Sequence, residues 1–481
     1  MVRYKRFAPI SLYIAVAAGI LTAGYYYIQR EFNLIDQIGL GITVIGFALF
    51  VILDPQRVRI ALTGRQARYG SNALVMFLAF LGILVVINFL AYKNPQKWDL
   101  TTDKQYTLTP ETIDVLNKLP ANVKALAFFT QRVSSDQAKT LLDTYKVDSK
   151  GKFDYQFINP DDNPVAAQQA NITKDGTVVL QMNNRQEPVT VISEEEITSA
   201  LIKLANPGER VVYFLTGHGE KDPTSSDDTG YSQADSTLTS KNYTVKTINL
   251  LSTPEIPSDA KSIIIAGPQK PLSDQEVILL KDYLDKGGSL VVMEEPTPVT
   301  QFGDTADPLK DYLEKSWGIV LGNDLVVDLG ANPATFALAD QYGSHSITSK
   351  LQGMVTVFPT SRSVQSMNPP SDISNTVLVL TSDRSWGETD LSNLANQQVS
   401  PDQGKDLLGP VPIAIASSNT STNARLVVIG DSDFGDNTYF STYGNGDFLI
   451  NSIDWAAQQD NLINLTPKQQ TQRLLVPPQR S

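Results

Sequence analysis

The sequence predicts an α/β protein carried on an N-terminal three-helix transmembrane anchor. Three observations predict it. Long apolar segments crowd into residues 1–98 and then stop. After them, buried-type strand runs (VVYFL, KSIIIA, SLVVM, RLVVIG) recur with helix-period segments between them, the pattern of a parallel, doubly wound sheet. The charge divides at the same place. Residues 1–98 hold ten Lys/Arg against three Asp/Glu, a net of +7, and the rest hold 29 against 48, a net of −19. A basic apolar head and an acidic body fit an anchor bearing an exposed domain. The acidic body argues against nucleic acid, whose phosphates need a basic footprint. With no cysteine in the chain, disulfides, thiolate nucleophiles and Cys-ligated zinc are excluded.

Taken in order, residues 8–28, 34–53 and 73–92 each have about the length that a helix needs to cross a hydrocarbon core of roughly 30 Å. Arg3, Lys5 and Arg6 precede the first, and Arg57, Arg59, Arg65 and Arg68 lie between the second and third. The loop QREFN offers only Arg30, offset by Glu31. Basic loops stay in the cytoplasm. The expected topology in the plasma membrane is therefore multi-pass, with the N-terminus cytoplasmic and everything after Tyr92 extracytoplasmic.

Residues 99–206 read as a small extracytoplasmic α/β domain. Thr109-Pro110-Glu111 starts a helix, with Thr109 as cap and Pro110 in the first turn. Strands follow at 123–129 and 153–158, separated by a helix over 136–145. A hairpin turns at Asn183-Asn184, and a helix over 194–204 stops at Asn206-Pro207-Gly208. Residues 207–465 read as the doubly wound domain. Its strands are VVYFL, 244–248, KSIIIA, SLVVM and RLVVIG. Its helices are 231–241, one capped by Ser273 with Glu276 three residues on, 308–317 and 447–457. Residues 330–412 are richer in Ser, Asn, Gln and Pro, and their strands are less regular. The tail, 466–481, with Pro477 and Pro478, reads as unstructured.

Several motifs occur together in one order: INPDDNP, GTVVL, FLTGHGE after a strand, DYLDKGGSLVVMEEP, DPLKDYLEKSWGIVLGNDLVVD, TSDRSW, VVIGDSDF and NSIDWAA. The series resembles the GldG-like family of ABC-transporter auxiliary proteins, the gliding-motility-associated type, over most of residues 99–465. The resemblance implies an extracytoplasmic body with a class I glutamine amidotransferase-like, flavodoxin-like fold, and an ABC permease and ATPase as partners. The chain departs from that family in its three leading helices and in stopping at Ser481 without a closing span.

In open parallel sheets, ligands gather outside the carboxyl ends of the strands. Gly217, His218, Gly219 and Glu220 leave one such end, and Asp431 and Asp433 leave another, so the two loops are expected to share a crevice. His218 and Glu220 could form an acid/base pair. They could equally be a glycine-enabled tight turn with a structural hydrogen bond. The amidotransferase reaction needs a cysteine, and no GxSxG elbow offers a serine in its place. Asp431 and Asp433 could hold a hard cation, but they lack the twelve-residue calcium-loop spacing, and Asp and Gly are ordinary turn residues. Ser382, Ser385 and Trp386 mark another turn, whose Trp either anchors a loop on the core or forms a binding surface. His345 has no partner identifiable from the sequence. The reading assigns no catalytic residue, metal or cofactor. It makes the chain a non-enzymatic auxiliary component whose body binds a small molecule, an envelope polymer or the permease. The rivals are a metal-dependent envelope hydrolase built on the two loops and a pure envelope scaffold. No GxxxxGK[ST] motif occurs, so ATP hydrolysis belongs to another chain.

Overall fold

A computed structural model describes residues 7–29, 33–63, 76, 79–84, 87, 107–390 and 400–466. The chain divides into two units, Met1–Trp98 and Asp99–Ser481. In the first, α1 (Ala8–Gln29) and α2 (Leu34–Leu53) are both long and apolar enough to cross a membrane. Asn33 caps α2, and the Asp36 side chain returns the bond to the Asn33 N–H. Small residues line the seam between the helices. A Cβ on Gly46 would stand 2.8 Å from that of Ala15, so only glycine permits this approach. The short helix α3 (Pro55–Thr63) starts at Asp54, which accepts the Arg57 N–H. The third predicted span, 73–92, lies largely outside the described residues. Arg3, Lys5, Arg6, Arg30, Arg65, Arg68 and nearly all of the tail 466–481 also lie outside them.

The second unit opens with α4 (Pro110–Lys118), capped by Thr109 as its sequence predicts. Strands β1 (Val123–Phe128), β2 (Phe153–Ile158), β3 (Thr177–Met182) and β4 (Arg185–Val189) form one sheet in the order β2-β1-β3-β4. Helices α5 (Asp136–Asp148) and α6 (Pro164–Gln169) flank β2 in sequence, and α7 (Glu194–Ala205) follows β4. The hairpin turns at Asn183, whose φ of 54° suits asparagine. Its second strand, β4, begins at Arg185, directly after the turn.

The main sheet is built on β5 (Arg210–Leu215), every residue of which is buried. Val212 and Phe214 face a core shared with α8 (Ser232–Ser240), through Ala234 and Leu238. Val211, Tyr213 and Leu215 face a second core. Next come β6 (Tyr243–Ile248), β7 (Ala260–Ala266), α9 (Asp274–Asp285), β8 (Ser289–Met293) and α10 (Pro308–Trp317). Leu280 and Leu284 of α9 and Leu309, Leu313 and Trp317 of α10 fill the second core. Each such buried side chain is worth roughly 1.5–3 kcal/mol. An exposed pair such as Lys281–Asp285 is screened by water and adds little beside this, so the layers are set by apolar burial.

Short strands follow: β9 (Ile319–Leu321), β10 (Leu325–Asp328), β11 (Ala337–Ala339), β12 (Gln341–Tyr342), β13 (Thr356–Phe358) and β14 (Val364–Ser366). Next are β15 (Ile373–Leu380), β16 (Ser385–Glu388), β17 (Leu407–Leu408), β18 (Pro412–Asn419), β19 (Arg425–Ile429) and finally α11 (Asn445–Ala456). The main sheet runs β12-β15-β18-β19-β8-β7-β5-β6. The five strands β6, β5, β7, β8 and β19 are mutually parallel, but β12, β15 and β18 join antiparallel. The expectation of a purely parallel sheet is thus corrected to a mixed one. The physical reason is the short connection from Asn419 to Arg425, which can join only antiparallel neighbours. No helix bridges β6 and β7 either.

The α8 and α11 layer is pinned by a buried ion pair. Lys241 Nζ donates to Asp454 Oδ2 at 2.5 Å and to the Leu462 carbonyl at 2.8 Å, and Tyr243 donates to Asp454 Oδ1 at 2.8 Å. Lys241 and Asp454 are both fully buried. Lys241→Met is expected to destabilise the body by about 3–5 kcal/mol by stranding the Asp454 carboxylate, while Lys241→Met with Asp454→Leu recovers most of the loss. Thermal unfolding of the detergent-solubilised variants checks this.

Candidate functional site

The five parallel strands run 6-5-7-8-19 across the sheet. In chain order that is 2-1-3-4-5, the flavodoxin-like winding, whose switch point falls between the first and third strands. Here those are β5 and β7. The loop leaving β5 is Thr216–Lys221. Its two glycines are required by the backbone: Gly217 has φ +127° and Gly219 φ +85°, and a Cβ on Gly219 would meet Gln269 at 3.0 Å. The loop is tied to the one leaving β7, because the His218 carbonyl accepts the N–H groups of Gln269 (2.8 Å) and Lys270 (3.1 Å).

His218 is 5% exposed and engaged at every polar atom. Its N–H donates to Glu220 Oε2 at 2.7 Å, and Nδ1 lies 3.0 Å from Glu220 Oε1. Nε2 lies 3.1 Å from Glu276 Oε2, the oxygen that also accepts the Ser273 N–H and hydroxyl at the start of α9. The Glu220 contact chiefly, and Glu276 with it, raise the His218 pKa above its ordinary value against the opposing effect of burial.

Asp431 and Asp433 leave the carboxyl end of β19, beside Glu294 and Glu295 at the end of β8. Oxygens of Glu295, Asp431 and Asp433 lie within 4.8 Å of one another. Ser432 donates its N–H and hydroxyl to Glu295 Oε1 at 2.6 and 2.5 Å, and Asp433 N–H donates to Asp431 Oδ1 at 2.6 Å. Thr360 Oγ1 stands 3.3 Å from both Glu295 Oε2 and Asp433 Oδ2. Burial, with Asp433 beside it, pushes Glu295 up to about 7, and burial pushes Asp431 well above the carboxylate range. The cation in contact is Lys221, whose Nζ lies 2.5 Å from Asp433 Oδ1 and 3.7 Å from Asp436 Oδ2. Burial works against the ammonium, yet Asp433 and Asp436 leave its pKa raised. Such a trio of carboxylates is the chemistry of a hard-cation site, but most of its oxygens already accept protein donors.

Lys221 follows Glu220 directly and reaches Asp433, so the β5 loop and the β19 loop meet along one carboxyl edge. His218 and Glu220 themselves turn away from that trio, toward α9. Five partners were not singled out from the sequence: Lys221, Glu276, Glu294, Glu295 and Thr360. Glu276 had a signal as the closing residue of a capping box. Glu294 and Glu295 had one in the acidic pair that ends SLVVMEE. Glu294 points away from Glu295's partners. Both its oxygens are buried without a hydrogen bond, and Arg362 Nη1 lies 3.7 Å away. Burial pushes it up to about 8. Trp386 is buried and donates to Glu388 Oε2 at 3.0 Å, so it anchors its loop. His345 has a partner after all, an edge-on contact with the Trp455 ring at 4.9 Å. Sequence spacing could not reveal it, because the two residues lie far apart in the chain.

Lys221→Met removes the ammonium from among three acidic side chains, Asp433, Asp436 and Glu295. It is expected to destabilise the body by about 3–5 kcal/mol at pH 8. The loss should be smaller at pH 5, where Glu295, pushed up to about 7, is protonated in the folded state. Urea unfolding at the two pH values checks the difference.

Several solved structures resemble parts of the chain. The mmIFT52 N-terminal domain is 20% identical, with 51% of this chain and 97% of that one covered and a TM-score of 0.38. ThuA-like proteins from Bacteroides uniformis (17% identity, 51% and 90% covered, TM-score 0.30) and Parabacteroides merdae (12%, 52% and 90%, 0.32) also match. No curated protein matches significantly. Residues 102–203 match a domain of unknown function. Residues 209–452, half of the chain and all five parallel strands of the main sheet, match the family described as an ABC-type uncharacterized transport system, and the chain belongs to that auxiliary family of ABC transport.

Proposed function

We propose that this chain is a non-enzymatic, membrane-anchored auxiliary component of an ABC transport system. In this reading α1 and α2, with a third span over 73–92, hold the protein in the plasma membrane with its N-terminus cytoplasmic. The body from residue 99 onward is extracytoplasmic and contacts an ABC permease, whose partner ATPase supplies the energy. It binds a transported small molecule, an envelope polymer or the permease itself. A body of this kind shifts transporter states only by binding them unequally.

The observation that carries the reading is the family match over 209–452, preceded by two helices long and apolar enough to span. The geometry of the crevice agrees with binding rather than chemistry. His218 keeps no ring nitrogen free to act as a base, because carboxylates face both. The GldG-like assignment and an amidotransferase-like ancestry stay part of this proposal. A metal-dependent hydrolase is favoured by one observation, the convergence of Glu295, Asp431 and Asp433. The Lys221 ammonium on Asp433 weighs against it.

Two measurements test the reading. Affinity purification of the full-length protein in mild detergent is expected to bring down a polytopic permease and a P-loop ATPase in fixed ratio; recovery of the folded protein alone would overturn it. The chain has no cysteine of its own, so Ser226→Cys, in the exposed loop after β5, provides a single label. A membrane-impermeant maleimide is expected to modify it in intact cells. Modification only after lysis would place the body on the cytoplasmic side.

A further inference from the structure

We propose that the Thr216–Lys221 loop is a proton-controlled latch over the β5/β7 switch point, closed while His218 is an imidazolium and released when it loses a proton. The argument starts from donors and acceptors. A neutral imidazole has one N–H and one lone pair, whereas the imidazolium has two N–H groups. Both ring nitrogens of His218 face carboxylate oxygens, at 3.0 Å (Glu220) and 3.1 Å (Glu276). Only the charged ring can donate to both. Once it is neutral, a lone pair is left against a carboxylate in a site that water barely reaches, with His218 at 5% exposure and Glu276 at 1%.

These two bonds hold the latch shut because they come from different elements. Glu220 belongs to the loop itself, and Glu276 belongs to the first turn of α9. The His218 carbonyl adds the bonds to Gln269 and Lys270 in the β7 loop. His218 therefore holds three pieces of chain together, its ring joining the loop to α9 and its carbonyl joining it to the β7 loop, where sheets of this winding take their ligands. The ionisable groups facing it are Glu220 from its own loop and Glu276 from α9. Lys270 contributes its backbone N–H, and the neighbouring Lys221 is turned toward Asp433 and Asp436. Glu276 Oε1 is buried with no hydrogen-bond partner, so Glu276 has no second bond on that oxygen to compensate for a lost contact with His218. Gly217 and Leu251, the latter 56% exposed, form the rim that release of the loop would loosen.

The sign follows from the raised pKa of His218. Its stabilising contribution is complete below the ordinary histidine value of about 6.5 and disappears as pH rises through the higher folded value. The loop is thus latched in acid and opens on alkalinisation. This holds whether or not the protein serves a transporter.

Hydrogen-exchange protection factors of residues 216–221, measured on the full-length protein in mild detergent from pH 6 to 9, test it. The wild type is expected to lose protection in this loop as the pH rises across the transition. His218→Gln, whose amide carries no charge at any pH, should show low loop protection throughout. Glu276→Gln keeps the helix cap but presents an amide to Nε2, and should move the transition to lower pH. His345→Gln removes the other histidine and should leave the response intact. Protection that stays flat with pH in the wild type would overturn the proposal. So would a wild-type-sized response that persists in His218→Gln or remains at the same pH in Glu276→Gln. If His218→Gln fails to fold, the shift in Glu276→Gln and its absence in His345→Gln still decide the matter.

Discussion

The body depends on one constraint: strand β5 is buried on both faces, so every apolar side chain on it must be covered by a helical layer. Val212 and Phe214 require one core, and Val211, Tyr213 and Leu215 require the other. A strand covered in this way can present polar chemistry only at its end. That is why Gly217, His218, Gly219, Glu220 and Lys221 appear together immediately after Leu215. The same holds for Glu294 and Glu295 after β8 and for Asp431 and Asp433 after β19. Parallel pairing then aligns these ends on one edge, and the functional question narrows to that edge.

Along this edge, charge is arranged in two separate systems. On one side a histidine stands between two glutamates. On the other, a lysine meets the acidic residues around Asp433. The backbone connects them, since Glu220 and Lys221 are neighbours yet serve opposite systems. A change in one system therefore reaches the other through a single peptide unit, without a long relay of contacts. Buried carboxyls at about 7 and about 8 belong to the same economy of unmatched charge.

Much of the local structure could be read directly from residues. Thr109 and Ser273 cap helices through bonds to nearby backbone groups, so the cap needs only its own few neighbours. VVYFL and SLVVM are strands because β-branched and aromatic side chains in an unbroken apolar run have nowhere to go but a two-sided core. The Pro/Ser/Asn-rich middle of the chain reads only as irregular strands, and the full extent of β15 and of β18 just after it was not legible. Their polar or half-exposed ends (Ser374, Asn375, Ser418, Asn419) break the apolar pattern, although the two strands share seven residue pairs.

The sequence by itself determined what depends on neighbours in the chain: the apolar helices, the caps, the strand–helix alternation and the loop that must carry glycine at Gly217 and Gly219. Tertiary structure alone decided what depends on partners far away. It chose Glu276 as the second ligand of the His218 ring, Asp433 as the counter-ion of Lys221, and Asp454 as the counter-ion of Lys241, 213 residues distant. The physical reason is that hydrophobic burial and helix capping act through pattern and proximity, which the order of residues records. A buried charge needs one partner at about 3 Å, and that position exists only after the sheet has closed.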